Sequence, residues 1–168
     1  MSISQPMLSE LEHEYAGTRR TLERVPYDKA DWRPHPRSWT LGELATHVAR
    51  LPGWMKMTID VDDLDLAGFD PAMNKPAASH AELMATFDKN AAEAKAALAA
   101  ASDERMLATW SLNTGAVRHF AMPRVAALRS FVMNHGVHHR AQLTVYLRML
   151  DVPVPGLYGP SADEKAFA

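Results

Sequence analysis

The stretch PRVAALRSFVMNHGVHHRAQLTVYLRML, residues 123–150, decides the fold. Pro123 suits the first position of a helix, because the amide proton that it lacks would have no helical partner there. Apolar residues then recur at spacings of three and four, and Pro153 and Pro155 prevent the helix from continuing. These residues predict one long helix that ends near Leu150.

This helix contains three histidines, and the helical register decides which of them point inward. At about 100° per residue, we place His135 and His139 within the buried stripe, with His139 at its middle and His138 at its flank. Arg140 falls about 140° from His135 and is expected to point away from the core. Side chains four residues apart share a face, so His135 and His139 can reach one ion at a distance of about 2.0–2.1 Å.

Apolar residues at helical spacing mark three further segments. Residues 6–25 show one such face and predict the first helix. A capping box at Thr40 and Glu43 predicts the start of the second helix, and another at Ser79 and Glu82 predicts the start of the third.

The connections between these helices contain proline, glycine and acidic residues. Residues 52–53 (Pro-Gly) are expected to kink or break the second helix. Residues 60–78 are expected to form a long crossover loop, and residues 156–168 a surface tail. Residues 106–120 predict a short hairpin, or an extended loop, with a turn at residues 114–115.

Four helices of about twenty residues, each with one apolar stripe, bury those stripes together as a four-helix bundle. We therefore predict an all-α fold with a long crossover between the second and third helices. The chain has 168 residues, of which 47% are hydrophobic, and this size and composition indicate a single domain over residues 1–168.

Charge and composition exclude several classes of function. The 18 basic and 20 acidic side chains give a net charge of -2, which disfavours nucleic acid and anionic membranes as partners. The absence of cysteine excludes disulfides, thiolate metal sites and a cysteine nucleophile. The sequence shows neither a secretory leader nor a membrane-spanning run, so we expect a cytoplasmic protein.

A third histidine strengthens the hypothesis of a metal site. His47 lies three residues after Leu44 and four before Leu51, on the apolar side of the second helix. It is therefore placed to join His135 and His139 across the bundle. Hydrogen bonds to the backbone, to each other or to buried water would also satisfy these imidazoles, since an unpaired buried polar group costs about 1–3 kcal/mol.

The sequence resembles the DinB/YfiT-like family of metalloenzymes, which is unrelated to the DNA polymerase that shares the name. The resemblance rests on residues 32–34 (WRP), 39–47 (WTLGELATH), 134–143 (NHGVHHRAQL) and 158–164 (YGPSADE). It spans most of the chain, and the last helix together with the upstream histidine is its most specific part.

The resemblance implies a four-helix bundle that often dimerises, with one divalent metal ion held by His47, His135 and His139. It also implies transfer of a low-molecular-weight thiol, such as bacillithiol or mycothiol, to an electrophilic substrate. Zinc or nickel is favoured as the ion. Iron or manganese comes second and stays possible, because ligand type alone does not choose among these metals.

Three neutral imidazoles leave a divalent ion with its full charge and an open position, which is typical of a catalytic site. Such an ion either ionises a thiol, the leading hypothesis, or activates water as in a metal-dependent hydrolase. Two hypotheses without catalysis stay open beside these: a metal-stabilised, stress-associated dimer, and a bundle whose histidines bind an anion.

Several neighbours of the histidines are candidates for supporting roles. Glu43, Asn134 and Gln142 are placed to orient a ligand imidazole, although the capping box already accounts for Glu43. Arg140 is expected to pair with an acidic group or the tail, or else to contact the substrate. Tyr158 either covers the pocket or tethers the tail.

The remaining aromatic and histidine residues are given structural roles. Trp39 and Trp110 are expected to be core aromatics, in preference to platforms on which a substrate stacks. Surface or turn positions are expected for the histidines that lack a partner at ligand spacing: His13, His35, His80 and His119.

Overall fold

The computed structural model describes residues 2–69 and 75–164, so part of the crossover and the end of the tail lie outside the described residues. Its first helices, in chain order, are α1 (Ser4–Glu23), α2 (Leu41–Asp60), α3 (His80–Ala100) and the short α4 (Asp103–Leu107). All three long helices occur where the sequence predicts them. No helix among the described residues combines the length and the apolar character needed to cross a bilayer.

The two predicted helix starts differ in their details. Thr40 Oγ1 accepts a hydrogen bond from the Glu43 amide at 3.1 Å, and a Glu43 carboxylate oxygen accepts one from the Thr40 amide at 2.7 Å. That capping box is complete. Ser79 caps α3 by accepting from the Glu82 amide at 3.1 Å, whereas the Glu82 carboxylate accepts from the amide of Ala78.

Helix α2 continues through Pro52 and Gly53 to Asp60, so of the expected kink or break, the break is wrong. Proline removes one backbone donor from the helix, and Pro52 is nevertheless accommodated as a buried residue within α2. Asn90 on α3 donates a side-chain hydrogen bond to the Ala49 carbonyl at 3.2 Å, which ties the two helices together beside the proline.

The last helical region has three parts. It begins with α5 (Arg124–Ala127), continues through a π-helical segment (Leu128–Met133) and ends with α6 (Asn134–Met149). Pro123 caps α5 instead of occupying its first position. A π-helical turn contains more residues than an α-helical one, so the faces before and after it do not follow a single α-helical register.

Arg124 fixes the start of this region to the end of α2. Its guanidinium is fully buried and donates to the carbonyls of Thr58 at 2.7 Å and Val61 at 3.0 Å. It also pairs with a carboxylate oxygen of Asp62 at 2.8 Å. The carbonyls at the end of a helix lack helical partners, so this arginine satisfies groups that would otherwise be buried without a hydrogen bond.

A three-stranded sheet corrects the all-α prediction. Its strands are β1 (Asp63–Asp65), β2 (Thr109–Thr114) and β3 (Val117–Pro123), in the order β1-β2-β3. Strands β2 and β3 form the predicted hairpin, and β1 pairs with β2 in parallel. The turn includes Gly115 with φ of 55°, a left-handed conformation that glycine adopts without steric cost.

Two apolar clusters form the core between the helices. The cluster nearer the start of α2 includes Leu22, Leu44, Val48, Phe87 and Leu143. The cluster nearer its end includes Leu11, Met55, Leu98, Leu128 and Val132. The predicted four-helix bundle is thus supported in its helices, while the sheet adds a smaller cluster around the fully buried Trp110.

Candidate metal centre

Helices α2 and α6 bring His47, His135 and His139 together. Each of the three half-buried side chains offers one ligand nitrogen, and these atoms all lie within 4.8 Å of one another. The imidazole rings of His135 and His139 lie 4.7 Å apart between centroids, as expected for residues one helical turn apart. A group with this composition and spacing could hold a metal ion.

The distance between His47 and His135 provides a direct test of that fit. Their Nε2 atoms lie 3.3 Å apart. Two nitrogens that each lie about 2.0–2.1 Å from one ion, at a tetrahedral angle, are separated by about 3.3–3.4 Å. The observed separation therefore matches one edge of a tetrahedral site, and it also matches a hydrogen bond between the two rings.

Hydrogen bonds on the far sides of the rings favour the metal over the ring-to-ring bond. Nδ1 of His139 donates to Oε1 of Gln142 at 2.7 Å, and a ring N–H of His135 donates to the carbonyl of Phe131. A neutral imidazole carries one proton, so both rings keep a lone pair on the remaining nitrogen. His47 can offer a proton to only one of them, whereas one cation satisfies all three.

The surroundings keep the three imidazoles neutral, which is the state that binds metal. Burial, and then the neighbouring imidazoles and Arg50, lower the pKa of His47 from 6.5 to about 3. Burial also lowers the pKa of His135 and of His139, although the hydrogen bonds to Phe131 and Gln142 act in the opposite direction.

His47 lines a cleft of about 670 Å³, a volume within the usual range for small-molecule sites. Its walls come from the loop before α2, from α2, from the crossover and from α3. They include Trp39, Glu43, His47, Arg50, Gly53, Trp54, Met57, Leu66, Phe69, Thr86 and Asn90.

Two indoles stand on either side of the histidines. Trp39 stacks on His139 with ring centroids 5.5 Å apart and meets His47 edge-on at 5.0 Å. Trp54 contacts His135 edge-on at 6.5 Å. Trp39 is 47% exposed, so its predicted core role is wrong, whereas Trp110 is a core residue as predicted.

The register predicted for the last helix is wrong for Arg140, which lies at the centre of the buried face and is only 2% exposed. Leu143 and Leu147 share that face, while His139 lies at its half-buried edge beside the cleft. At about 100° per residue, Tyr146 and Leu150 fall close to His135 and His139 around the helix, yet they are only partly buried.

Arg140 nevertheless finds the acidic and tail partners expected of it. Its guanidinium donates to the carboxylate of Glu14 at 2.7 Å, to Thr18 Oγ1 at 3.2 Å and to the Tyr158 hydroxyl at 2.5 Å. Tyr158 in turn donates to Glu14 at 2.7 Å, so it tethers the tail to α1.

The remaining candidates have simpler placements. His138 and Asn134 are exposed on α6, and Glu43 completes its capping box. Of the histidines assigned to surface or turn positions, His13 and His119 are exposed and His35 accepts a turn hydrogen bond from the Arg37 amide. His80 is partly buried, and its ring bonds to the Leu22 carbonyl.

The sequence pattern did not reveal Trp54 as a residue of the site. The expected break at Pro52 removed any basis for placing Trp54 relative to His47. Trp54 is seven residues after His47, so a predicted helix that continued past Pro52 would have placed both residues on the same face.

A family model identifies the family of this chain. The model of the DinB family matches residues 1–166. The chain is 28% identical over 163 residues to the uncharacterized protein YrdA of Bacillus subtilis, and the match covers 95% of this chain and 90% of YrdA.

Two solved structures share the fold. A DinB-like protein from Bacillus cereus superposes with a TM-score of 0.71 and 21% identity, and the match covers 90% of this chain and 95% of that protein. The DinB-like protein YjoA from Bacillus subtilis superposes with a TM-score of 0.70 and 15% identity, covering 97% and 100%.

Proposed function

We propose that this chain, which belongs to the DinB family, is a metal-dependent enzyme that transfers a small thiol to an electrophilic carbon. The observation that carries the proposal is the convergence of three neutral imidazoles on an open cleft. A divalent ion held by His47, His135 and His139 would lower the pKa of a bound thiol or water.

An open coordination position distinguishes a catalytic site from a structural one. Within the described ranges, the group of potential ligands consists of the three histidines, without a carboxylate as a fourth member. The cleft meets this group directly through His47. This arrangement favours an enzyme over a scaffold in which the metal only stabilises the fold.

The chain's own residues would perform three tasks in the transfer. The histidines hold the ion, Gln142 and the Phe131 carbonyl orient two of the rings, and the aromatic walls limit the access of water. The thiol comes from a cosubstrate, because the chain has no cysteine. The thiol would lose its proton to solvent on ionisation, and its sulfur would then form the new bond to carbon while the electrons of the broken bond leave with a halide or with the oxygen of an opened epoxide. That epoxide oxygen would take up a proton from solvent.

Zinc or nickel is the proposed ion, with iron or manganese in second place. Formation of a homodimer stays what the resemblance to the family implies, and a cytoplasmic location stays a prediction from the sequence.

Metal content per chain, measured by elemental analysis on protein without a polyhistidine tag, is the first test. We expect about one divalent ion in the parent protein and a loss of that ion in His47→Ala and His139→Ala. His138→Ala is the matched control, since His138 is exposed on the same helix, and it should keep the metal. Folded parent protein that stays metal-free after reconstitution would overturn the proposal.

A panel of thiols and electrophiles with the metal-loaded protein tests the reaction. Turnover that requires the thiol and disappears in His139→Ala supports the transfer. Hydrolysis at the same site without any thiol would instead identify a metal-dependent hydrolase.

A further inference from the structure

The position of Trp39 calls for a functional explanation, because a large indole is left half exposed while its contacts hold it firmly. One side of the ring stacks on His139, and its edge meets His47. The Trp39 carbonyl accepts a hydrogen bond from the Tyr146 hydroxyl at 3.3 Å, and the next residue, Thr40, is fixed by the capping box. The indole is therefore fixed in place, and the surface that it leaves open faces the cleft.

The far wall of the cleft is also aromatic. Trp54 packs against Phe69 with ring centroids 5.6 Å apart and against Phe131 at 5.2 Å. Met57 and Leu66 extend this apolar wall. A group that approaches the histidines thus passes between Trp39 on one side and Trp54 on the other.

Three polar side chains that line the cleft are engaged in bonds to its walls. The Glu43 carboxylate accepts from the Thr40 amide, Arg50 donates to the Lys75 carbonyl at 3.0 Å, and Asn90 donates to the Ala49 carbonyl. The surface beside the histidines is consequently suited to a flat, uncharged group, since aromatic rings prefer offset-stacked or edge-to-face contacts with other rings.

We propose that the electrophile carries an aromatic or conjugated planar group that stacks on Trp39, and that Trp39 determines this specificity. The inference rests on the proposed function and names the class of substrate that it acts on. It narrows the electrophiles to those in which the reactive carbon is attached to a flat unsaturated system.

Two probes of equal size separate flatness from hydrophobicity. We would compare 2-naphthylmethanol with its fully saturated analogue, decahydro-2-naphthylmethanol, by titration of the metal-free protein. The flat probe should bind more tightly to the parent protein. Trp39→Leu should weaken binding of the flat probe by about 2- to 13-fold, the value of one aromatic contact, and leave the saturated probe unchanged.

Two further variants control this experiment. Trp39→Phe keeps a ring and should retain most of the preference for the flat probe. Leu107→Ala removes an exposed apolar side chain that does not line the cleft, and it should bind both probes like the parent. Equal affinity of the parent for both probes, or an equal loss of both in Trp39→Leu, would overturn the inference.

The binding measurement uses neither metal nor thiol, so its failure is distinguishable from failure of the proposed reaction. A protein that prefers the flat probe but shows no thiol-dependent turnover keeps the substrate class and loses the transfer chemistry. If both hold, Trp39→Leu should raise KM for an aromatic electrophile more than it lowers kcat.

Discussion

Adjacent residues of α6 belong to two polar clusters with opposite properties. The histidine cluster, His47, His135 and His139, is half buried beside a cleft. In the arginine cluster, Arg140 with Glu14, Thr18 and Tyr158, every member is bonded to another. The difference shows that α6 is held in place by polar groups that satisfy one another's hydrogen bonds. The neighbouring imidazoles are therefore not needed for this purpose and can keep lone pairs for a ligand.

The largest expected effect comes from opening the arginine cluster. Arg140→Met leaves the mostly buried Glu14 carboxylate without its ion-pair partner, and removing one member of a buried pair costs about 3–5 kcal/mol. We expect that decrease in the free energy of unfolding, measured with denaturant. Arg140→Met combined with Glu14→Leu should recover part of it.

The surface ion pair between Arg148 and Asp163 is the control for this measurement. Exposed pairs contribute about 0–1 kcal/mol, so Arg148→Ala should change stability little. An equal cost for Arg140→Met and Arg148→Ala would contradict the assigned role of Arg140.

Closing the histidine cluster with metal should stabilise the protein. A ligand at 100 times its Kd raises the free energy of unfolding by about 2.7 kcal/mol when it binds only the folded state. We expect this gain from added zinc or nickel in the parent and in His138→Ala, followed by thermal or denaturant unfolding. His135→Ala should show none of it, and a full gain in that variant would place the ion elsewhere.

A smaller effect is expected from the hydrogen bond that orients His139. Gln142→Ala removes the acceptor for Nδ1, and loss of such a partner weakens metal affinity by about 10- to 100-fold. Competition with a metal chelator measures this change. Asn134→Ala is the matched control on the same helix, and its affinity should equal that of the parent.

The smallest expected effect is a loss of folding stability of the metal-free protein in acid. The folded state resists protonation of His47, whose pKa is lowered to about 3, while the unfolded chain takes the proton near 6.5. Stability should therefore fall as the pH drops below about 6.5. The contribution of His47 is less than about 1.4 kcal/mol per pH unit, because unfolding takes up at most one proton at this imidazole.

Denaturant unfolding between pH 7 and pH 5, in the presence of a chelator, measures this slope. His47→Gln removes the titrating group and should flatten the dependence. An unchanged slope in His47→Gln would show that other groups cause it.

The meeting of the three histidines could be predicted from sequence because it depends on short-range rules. The spacing of His135 and His139 needs only one helical turn, and the spacing of His47 from Leu44 and Leu51 needs only two. Such relationships survive errors in longer-range geometry. The orientation of Arg140 could not be predicted in this way, because it depended on a helical register averaged over the whole last helix, including its partly buried end.

The sheet and the aromatic wall could not be derived in the same way. Strand β1 contains three residues, too few to show an alternating pattern, and it pairs with residues almost fifty positions later. Trp54 was hidden by the general rule that proline interrupts helices. Pro52 is buried within the helix, and the hydrogen bond from Asn90 to the Ala49 carbonyl depends on the neighbouring helix α3, which local sequence does not reveal.

The π-helical segment separates two buried arginines, Arg124 and Arg140, that each bind a different part of the molecule. Because both arginines are anchored, the number of residues between them must fit the angle about the helix axis that separates their two binding partners. The π-helical turn changes this angle by an amount that a regular α-helix of the same number of residues would not provide. The chain can thereby seat Phe131 against the sheet and still aim His135 at the cleft, so removing a single residue from this turn would misalign one anchor or the other.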